Sequence, residues 1–278
     1  MLKPQKKRKK KHSLLLQLFK NRPCGGFFCH FSSLISLKLD MANPRTIIII
    51  PTYNELENIS TMILAVMELQ QGYHILFIDD NSPDGTAAQI EALMEKHPTV
   101  FLEKRPEKLG LGTAYIHGFK WALDRDYTYI IEMDCDFSHN PADLPRLVAA
   151  CENGADCTIG SRYVRGGRVK NWPVKRILMS YFASVYVRLI LWINIKDTTA
   201  GFKCYHHKVL EQIPLDRIPF KGYAFQICMK YAAVKLGFKV KEIPITFVDR
   251  VIGESKMSTG IFKEAFFGVW QMRKMKWK

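Results

Sequence analysis

Between residues 46 and 133, short apolar runs alternate with longer stretches in which apolar side chains recur at every third or fourth position. Residues 46–50 form an unbroken β-branched run that ends at Pro51. That is the pattern of a strand buried on both faces and stopped by a residue unable to extend the hydrogen-bond ladder. Residues 58–70 carry Ile59, Ile63, Val66, Met67 and Leu69 at helical spacing, and residues 74–78 are a second apolar strand. Residues 84–94 read as helix, 100–102 as a short strand, 113–123 as helix and 127–133 as strand. The alternation βαβαβαβ predicts an α/β fold, an open, mostly parallel, doubly wound sheet that binds ligands beyond the carboxyl ends of its strands. Polar clusters stand at those ends, at 52–55, 79–84 and 134–140.

The second half is less regular. Residues 145–151 read as helix, 157–159 as strand, 165–169 as a glycine-rich loop, and a helix is expected from about residue 175. Residues 177–195 carry a single charge, Arg188, near their middle. A membrane span of that length is possible, but a central Arg costs at least about 2.5 kcal/mol there, and Ser180, Ser184 and Asn194 weaken it further. A buried or surface-lying helix is the expectation. Residues 240–248 read as a last strand, and 261–278 as a helix with Phe262, Phe266, Val269 and Trp270 on one face. Its five basic residues and one acidic residue suit either an interfacial amphipathic helix or an ordinary packed one.

Composition changes this picture little. Of 278 residues, 47% are hydrophobic and 24% charged, which excludes a wholly disordered or fibrous chain. The net charge of +15 is concentrated at the start: residues 1–40 hold ten basic side chains and one acid, leaving +6 for the rest. No basic patch supports a nucleic-acid partner. Residues 6–11 are all cationic, but the apolar run after them is broken by Gln17 and Lys20, too short for a span or a signal segment. Met41 stands just before the first strand, so residues 1–40 are either a misassigned upstream start or a disordered arm drawn to anionic lipid. In the latter case each cation near the surface contributes about 1 kcal/mol. The expected organisation is this tail, a domain over 41–260 and the helix over 261–278. Seven cysteines, at 24, 29, 135, 151, 157, 204 and 228, form no C-x-x-C pair, which argues for a reduced compartment and for small core residues.

Asp134, Cys135 and Asp136 follow a strand. Side chains alternate there, so the two carboxylates can point together while Cys135 points back. Two hard oxygen ligands of this kind can hold Mg²⁺ or Mn²⁺, with phosphate oxygens completing the octahedron. Asp79 and Asp80, ending a neighbouring strand, suit either hydrogen bonding to a base or ribose or simple turn chemistry; Asp84 suits a helix cap. Arg162, Arg176, Arg250 and Lys256 stand in loops or at element ends, where each is a solvated charge or a phosphate ligand.

These residues fall into ordered motifs: 51–55 (PTYNE), 79–86 (DDNSPDGT), 109–114 (LGLGTA), 133–139 around Asp134 and Asp136, 160–163 (GSRY), and Asp249-Arg250 with 253–256 (GESK). Together they resemble the inverting family-two glycosyltransferases with a GT-A fold, over roughly residues 46–260, and among these the dolichyl-phosphate (polyprenyl-phosphate) mannosyltransferases. The resemblance implies that Pro51, Tyr53, Glu55, Ile78 and Asp80 contact the guanosine end of GDP-mannose. Asp134 and Asp136 would hold the metal and the diphosphate, with Cys135 contributing backbone, and Arg250 and Lys256 would clamp the donor phosphates. Arg162 would sit between the donor and acceptor phosphates, with Arg176 and Ser180 at the acceptor phosphate. Cys135 stands where Ala is usual, and residues 1–40 have no counterpart.

The implied reaction is a single inverting displacement by a dolichyl or polyprenyl phosphate on GDP-mannose, with Asp136 and Arg162 central to catalysis. The chain is expected to meet the membrane surface through interfacial helices or small membrane subunits, peripherally and on the cytoplasmic side. A polyprenyl-phosphate glucosyltransferase, or another family-two enzyme using a UDP-sugar, is the nearest alternative. A non-catalytic membrane-surface protein is more distant. An oxidoreductase is disfavoured because no G-x-G-x-x-G follows the first strand.

Overall fold

A computed structural model describes residues 45–249 and 259–277. The basic tail, Arg250 and Lys256 lie outside the described residues. The elements run β1 (Thr46–Thr52), α1 (Leu56–Met67), β2 (His74–Asp79), α2 (Thr86–Met94), β3 (Val100–Lys104), α3 (Leu111–Leu123), β4 (Tyr129–Glu132) and α4 (Leu144–Glu152). They continue with β5 (Cys157–Ser161), β6 (Arg168–Lys170), α5 (Val174–Leu191), β7 (Lys203–His206), α6 (His207–Gln212), α7 (Tyr223–Lys235), β8 (Val240–Pro244), β9 (Thr246–Val248) and α8 (Thr259–Lys274).

Seven strands form one sheet in the order β3-β2-β1-β4-β7-β5-β8, parallel except for β7, which runs antiparallel to both β4 and β5. The unbroken isoleucine run of β1 follows from cover on both faces. Ile47 and Ile49 enter the cluster built with Tyr115 and Phe119 of α3 and Phe225 of α7. Ile48 and Ile50 enter the opposite cluster, with Ile59 and Met62 of α1 and Leu147 of α4. A strand covered on both sides favours apolar side chains at every interior position. The chain steps from β1 to β2 to β3 in one direction, and β4 then pairs on the other side of β1. That reversal opens a crevice at the carboxyl ends of β1 and β4.

Helix α3 approaches β1 closely because position 118 is glycine: a Cβ there would stand 2.6 Å from Ile49 Cγ2. Gly118→Ala is therefore expected to destabilise the fold by about 1–3 kcal/mol, lowering the melting temperature by roughly 2–4 °C per kcal/mol in a thermal scan. An unchanged midpoint would show that the helix is free to shift outward.

Several expectations need correction. Residues 240–248 are two strands: β8 pairs with β5, while β9 leaves the main sheet to pair with β6, the break falling where Pro244 cannot donate to a ladder. Strand β6 itself begins within the segment read as loop. Val269 faces the core and is fully buried with Met272, whereas Phe266 and Trp270 are exposed. Strand β7 and helices α6 and α7 are further elements that the local pattern does not announce. Helix α7 is buried from Ala224 to Ala233, so it shows no amphipathic period, and it carries Gln226 and Lys230 into the interior. Helix α5 lies on the surface with Leu178, Tyr181 and Phe182 exposed, and no helix among the described residues is long and apolar enough to cross a membrane. Cys135, Cys151, Cys157, Cys204 and Cys228 are free and buried.

Candidate active site

The crevice is a cleft of about 440 Å³, walled by the loops after β1, β2 and β4 and by the segments at 199–201 and 221–223. On its β1 side, Thr52 Oγ1 donates to Asp79 Oδ1 at 3.0 Å, and Asp79 also accepts from Ser82 N at 2.9 Å. Asp79 is fully buried and makes the turn. Asp84 caps: its carboxylate accepts from Thr86 N at 3.0 Å and from Leu56 N at 3.2 Å, serving the starts of α2 and α1 together. Asp80, by contrast, reaches the cleft wall beside Pro51, Tyr53 and Glu55.

Arg105, just after β3, holds Asp80 at 2.6 Å through Nε. It also donates to Thr113 Oγ1 at 2.8 Å and to Gly110 O at 3.3 Å, so one buried guanidinium ties the base of the cleft to the start of α3. Burial raises the Asp80 carboxyl above its ordinary value even against the pull of Arg105. The Lys108 ammonium lies 4.0 Å from the Tyr53 ring centroid, also in the cleft. Sequence reasoning singled out neither cation. The signal it could have used for Arg105 is position, since it directly follows a strand parallel to those carrying Thr52 and Asp79.

After β4, Asp134 and Asp136 line the cleft while the Cys135 side chain turns into the core beneath α1 and α4. Tyr115 Oη donates to Asp134 Oδ1 at 3.4 Å, and Ser138 N donates to Asp136 Oδ1 at 3.0 Å. His139 stacks on Phe202 with centroids 4.9 Å apart, and burial pushes its imidazole down to about 4, so it is neutral at pH 7. No group of three or more His, Cys, Asp or Glu side chains able to hold a metal occurs among the described residues. The two aspartates nonetheless fit a hard divalent cation whose remaining ligands are substrate oxygens.

The far wall rests on a polar network that no local pattern announces. Arg162 Nε and Nη2 grip Asp197 at 2.7 and 2.6 Å, and Nη2 reaches Thr199 Oγ1 at 2.7 Å. Burial alone would raise the Asp197 carboxyl; the Arg162 charge and hydrogen bonds bring it below the ordinary carboxylate value. Lys230 Nζ donates to Thr198 O and Ala200 O at 2.9 and 2.6 Å, fixing the 198–201 backbone, and burial pushes its ammonium well below the usual lysine range. Arg176 grips Asp249 at 2.9 Å and lies 4.1 Å over the Trp172 ring.

A second cavity, about 550 Å³, opens beside the cleft between α5, α7 and α8. Apolar side chains such as Met179, Phe182, Phe266 and Phe267 enclose most of it. Arg162, Trp172, Arg176, Thr199 and Tyr223 line both spaces. Ser180 belongs to this second cavity and not to the cleft. Ile78 reaches neither: its side chain is fully buried in the core.

The sequence model of glycosyl transferase family 2 matches residues 47–214. The chain is 47% identical over 232 residues to the polyprenol monophosphomannose synthase of Mycolicibacterium smegmatis, spanning 82% of this chain and 88% of that protein. It is 44% identical over 225 residues to the undecaprenyl-phosphate mannosyltransferase of Micrococcus luteus, spanning 81% and 92%. Its fold is similar to that of glucosyl-3-phosphoglycerate synthase from Mycobacterium tuberculosis, solved with Mn²⁺, uridine diphosphate and glucosyl-3-phosphoglycerate. That similarity has a TM-score of 0.61 at 14% identity and covers 92% of this chain and 87% of that one.

Proposed function

The chain belongs to glycosyl transferase family 2, and from that premise we propose that it moves mannose from GDP-mannose to a polyprenyl or dolichyl phosphate, with inversion at the anomeric carbon. One observation carries the reading: a cleft with paired carboxylates and a far more apolar cavity meet at a shared wall that includes two arginines, Arg162 and Arg176. A nucleotide diphosphate suits the first space and a long hydrocarbon suits the second. The reaction joins them where Arg162 and Arg176 stand.

Asp134 and Asp136 would hold a divalent cation, Mg²⁺ or Mn²⁺, which when bound supplies positive charge to the leaving diphosphate. Pro51, Tyr53, Glu55 and Asp80 form the end of the cleft suited to the nucleoside, with Lys108 over Tyr53. Arg162 and Arg176 orient the acceptor phosphate and offset its repulsion from the donor diphosphate. That phosphate is already anionic at pH 7, so its oxygen attacks the anomeric carbon without a strong general base, and the C–O bond to GDP breaks as the new one forms. Catalysis rests on alignment and on charge stabilisation. Arg250 and Lys256 complete the clamp on the donor phosphates in this reading.

The exposed apolar side chains of α5 and α8 at the mouth of the second cavity suit peripheral attachment to the cytoplasmic face of a membrane. The double variant Phe182→Ser/Phe267→Ser is expected to raise KM for polyprenyl phosphate by about tenfold or more with little change in kcat, because the lost contacts are made equally in ground and transition states. Steady-state kinetics in detergent measures this, and an unchanged KM would remove the lipid from that cavity.

The reading as a whole is tested by transfer of labelled sugar from GDP-mannose, and in parallel from UDP-glucose, to a polyprenyl phosphate with Mg²⁺, Mn²⁺ or EDTA. Metal-dependent mannolipid is expected. Glucolipid alone would keep the reaction and overturn the donor.

A further inference from the structure

We infer that Gln226 reads a hydroxyl of the sugar being transferred, an inference that rests on sugar transfer in this cleft. Gln226 lies in α7, is 2% exposed and lines the cleft. Its Oε1 accepts from the buried Lys203 ammonium. An ammonium only donates, so this bond fixes which end of the amide faces Lys203 and turns Nε2 the other way. Lys203 is itself held by Glu132 at 3.0 Å, and Glu132 accepts from Tyr205 Oη at 2.9 Å. The amide is thus locked by a chain of buried groups reaching down to β4.

Gln226 Nε2 is enclosed and finds no hydrogen-bond partner among the described residues. A buried N–H in that condition calls for a partner that arrives with a ligand. The space before it is open because residue 201 is glycine: a Cβ there would stand 3.7 Å from Nε2 and 3.9 Å from Asp134 Oδ2. The gap therefore lies between the amide donor and one of the two carboxylates suited to the metal. A hexose attached to a diphosphate at those carboxylates must pass through it, and one of its hydroxyl oxygens can accept from Nε2. Discrimination follows, since a site with a committed donor rejects a sugar that lacks the matching oxygen.

The experiment measures kcat/KM for wild type, Gln226→Met, Gln226→Glu and Gly201→Ala on GDP-mannose and on its monodeoxy analogues, with GDP affinity by calorimetry. Gln226→Met is expected to lose about tenfold or more on the parent donor while binding GDP within about twofold of wild type. On one monodeoxy donor, wild type and Gln226→Met should be equal, because the bond is already absent. Gln226→Glu keeps an acceptor for Lys203 should the methionine variant fold poorly, and shows the same loss selective for that one hydroxyl. Gly201→Ala meets nothing closer than 3.6 Å, so it folds, yet its methyl group fills the gap; it should bind GDP and lose transfer. A loss equal across all donors, or no loss, overturns the inference. A wild type that transfers no sugar from any donor overturns the transfer reading and this one with it.

Discussion

Asp136→Ala is expected to reduce transfer by about a thousandfold or more while leaving the protein folded. The carboxylate is one of a pair just after β4; in the proposed reaction the leaving diphosphate gains negative charge as its bond to the sugar breaks, and a cation held by this pair would offset it. Removing the carboxylate takes away half of the hard-oxygen set that fits a divalent cation, and no third acidic or imidazole group completes a cluster among the described residues. The bond from Ser138 N at 3.0 Å closes a short turn in the cleft and is worth about 1 kcal/mol. Thermal denaturation should therefore show a melting temperature near that of wild type, and the dependence of GDP affinity on Mn²⁺ should weaken together with turnover. Full activity in this variant would remove the metal from these two carboxylates.

Asp197→Ala is expected to show the opposite balance, a loss of stability and activity together. Asp197 is wholly buried and takes Arg162 through Nε, Nη2 and the backbone N–H, at 2.7, 2.6 and 2.9 Å. Without it, the guanidinium is left in the interior with no counter-charge, a loss of about 3–5 kcal/mol. The Arg162 plane, which lies 5.4 Å from both the Trp172 and Phe247 ring centroids, loses its anchor at the junction of the two cavities. Denaturant titration should show the lower midpoint, and kcat/KM should fall with it. Because the folded carboxyl titrates below its ordinary value of 3.8, the contribution of the pair is complete above about pH 4 and fades as pH drops below that. Arg162→Lys keeps a charge but not the two-pronged grip, and it is expected to recover stability only in part. A midpoint unchanged in Asp197→Ala would mean that the guanidinium relaxes to solvent at no cost.

The contrast between these two aspartates also marks how far the sequence could be read. Asp136 belongs to a motif of adjacent residues after an apolar strand, and period-two alternation alone states that it and Asp134 point together while Cys135 points back. Asp84 was legible as a cap for the same reason, since one donor to its carboxylate, Thr86 N, is two residues away; the other, Leu56 N, is 28 residues distant and was not. Asp197 has no such neighbourhood. Its partner is 35 residues distant, and nothing in the intervening chain indicates that they meet. Arg105 and Asp80 are 25 residues apart, and Glu132 meets Tyr205 across 73. For Ile78, which stands beside the nucleotide motif, strand alternation sends the side chain into the core.

What the sequence determined by itself was local and periodic: the buried strands of the first half, the crevice at their carboxyl ends, the acidic pair and the family motifs. These follow because the spacing of side chains along a strand or helix fixes which face they share before any tertiary contact exists. Only the tertiary structure decided the antiparallel β7, the all-round burial of α7, the networks that tie Arg105 to Asp80, Arg162 to Asp197 and Gln226 to Lys203, and the apolar cavity beside the cleft. Each of these depends on groups far apart in the chain being desolvated together. A charge or amide becomes structural only when burial removes its water, and burial is a property of the packed molecule, not of any segment of it.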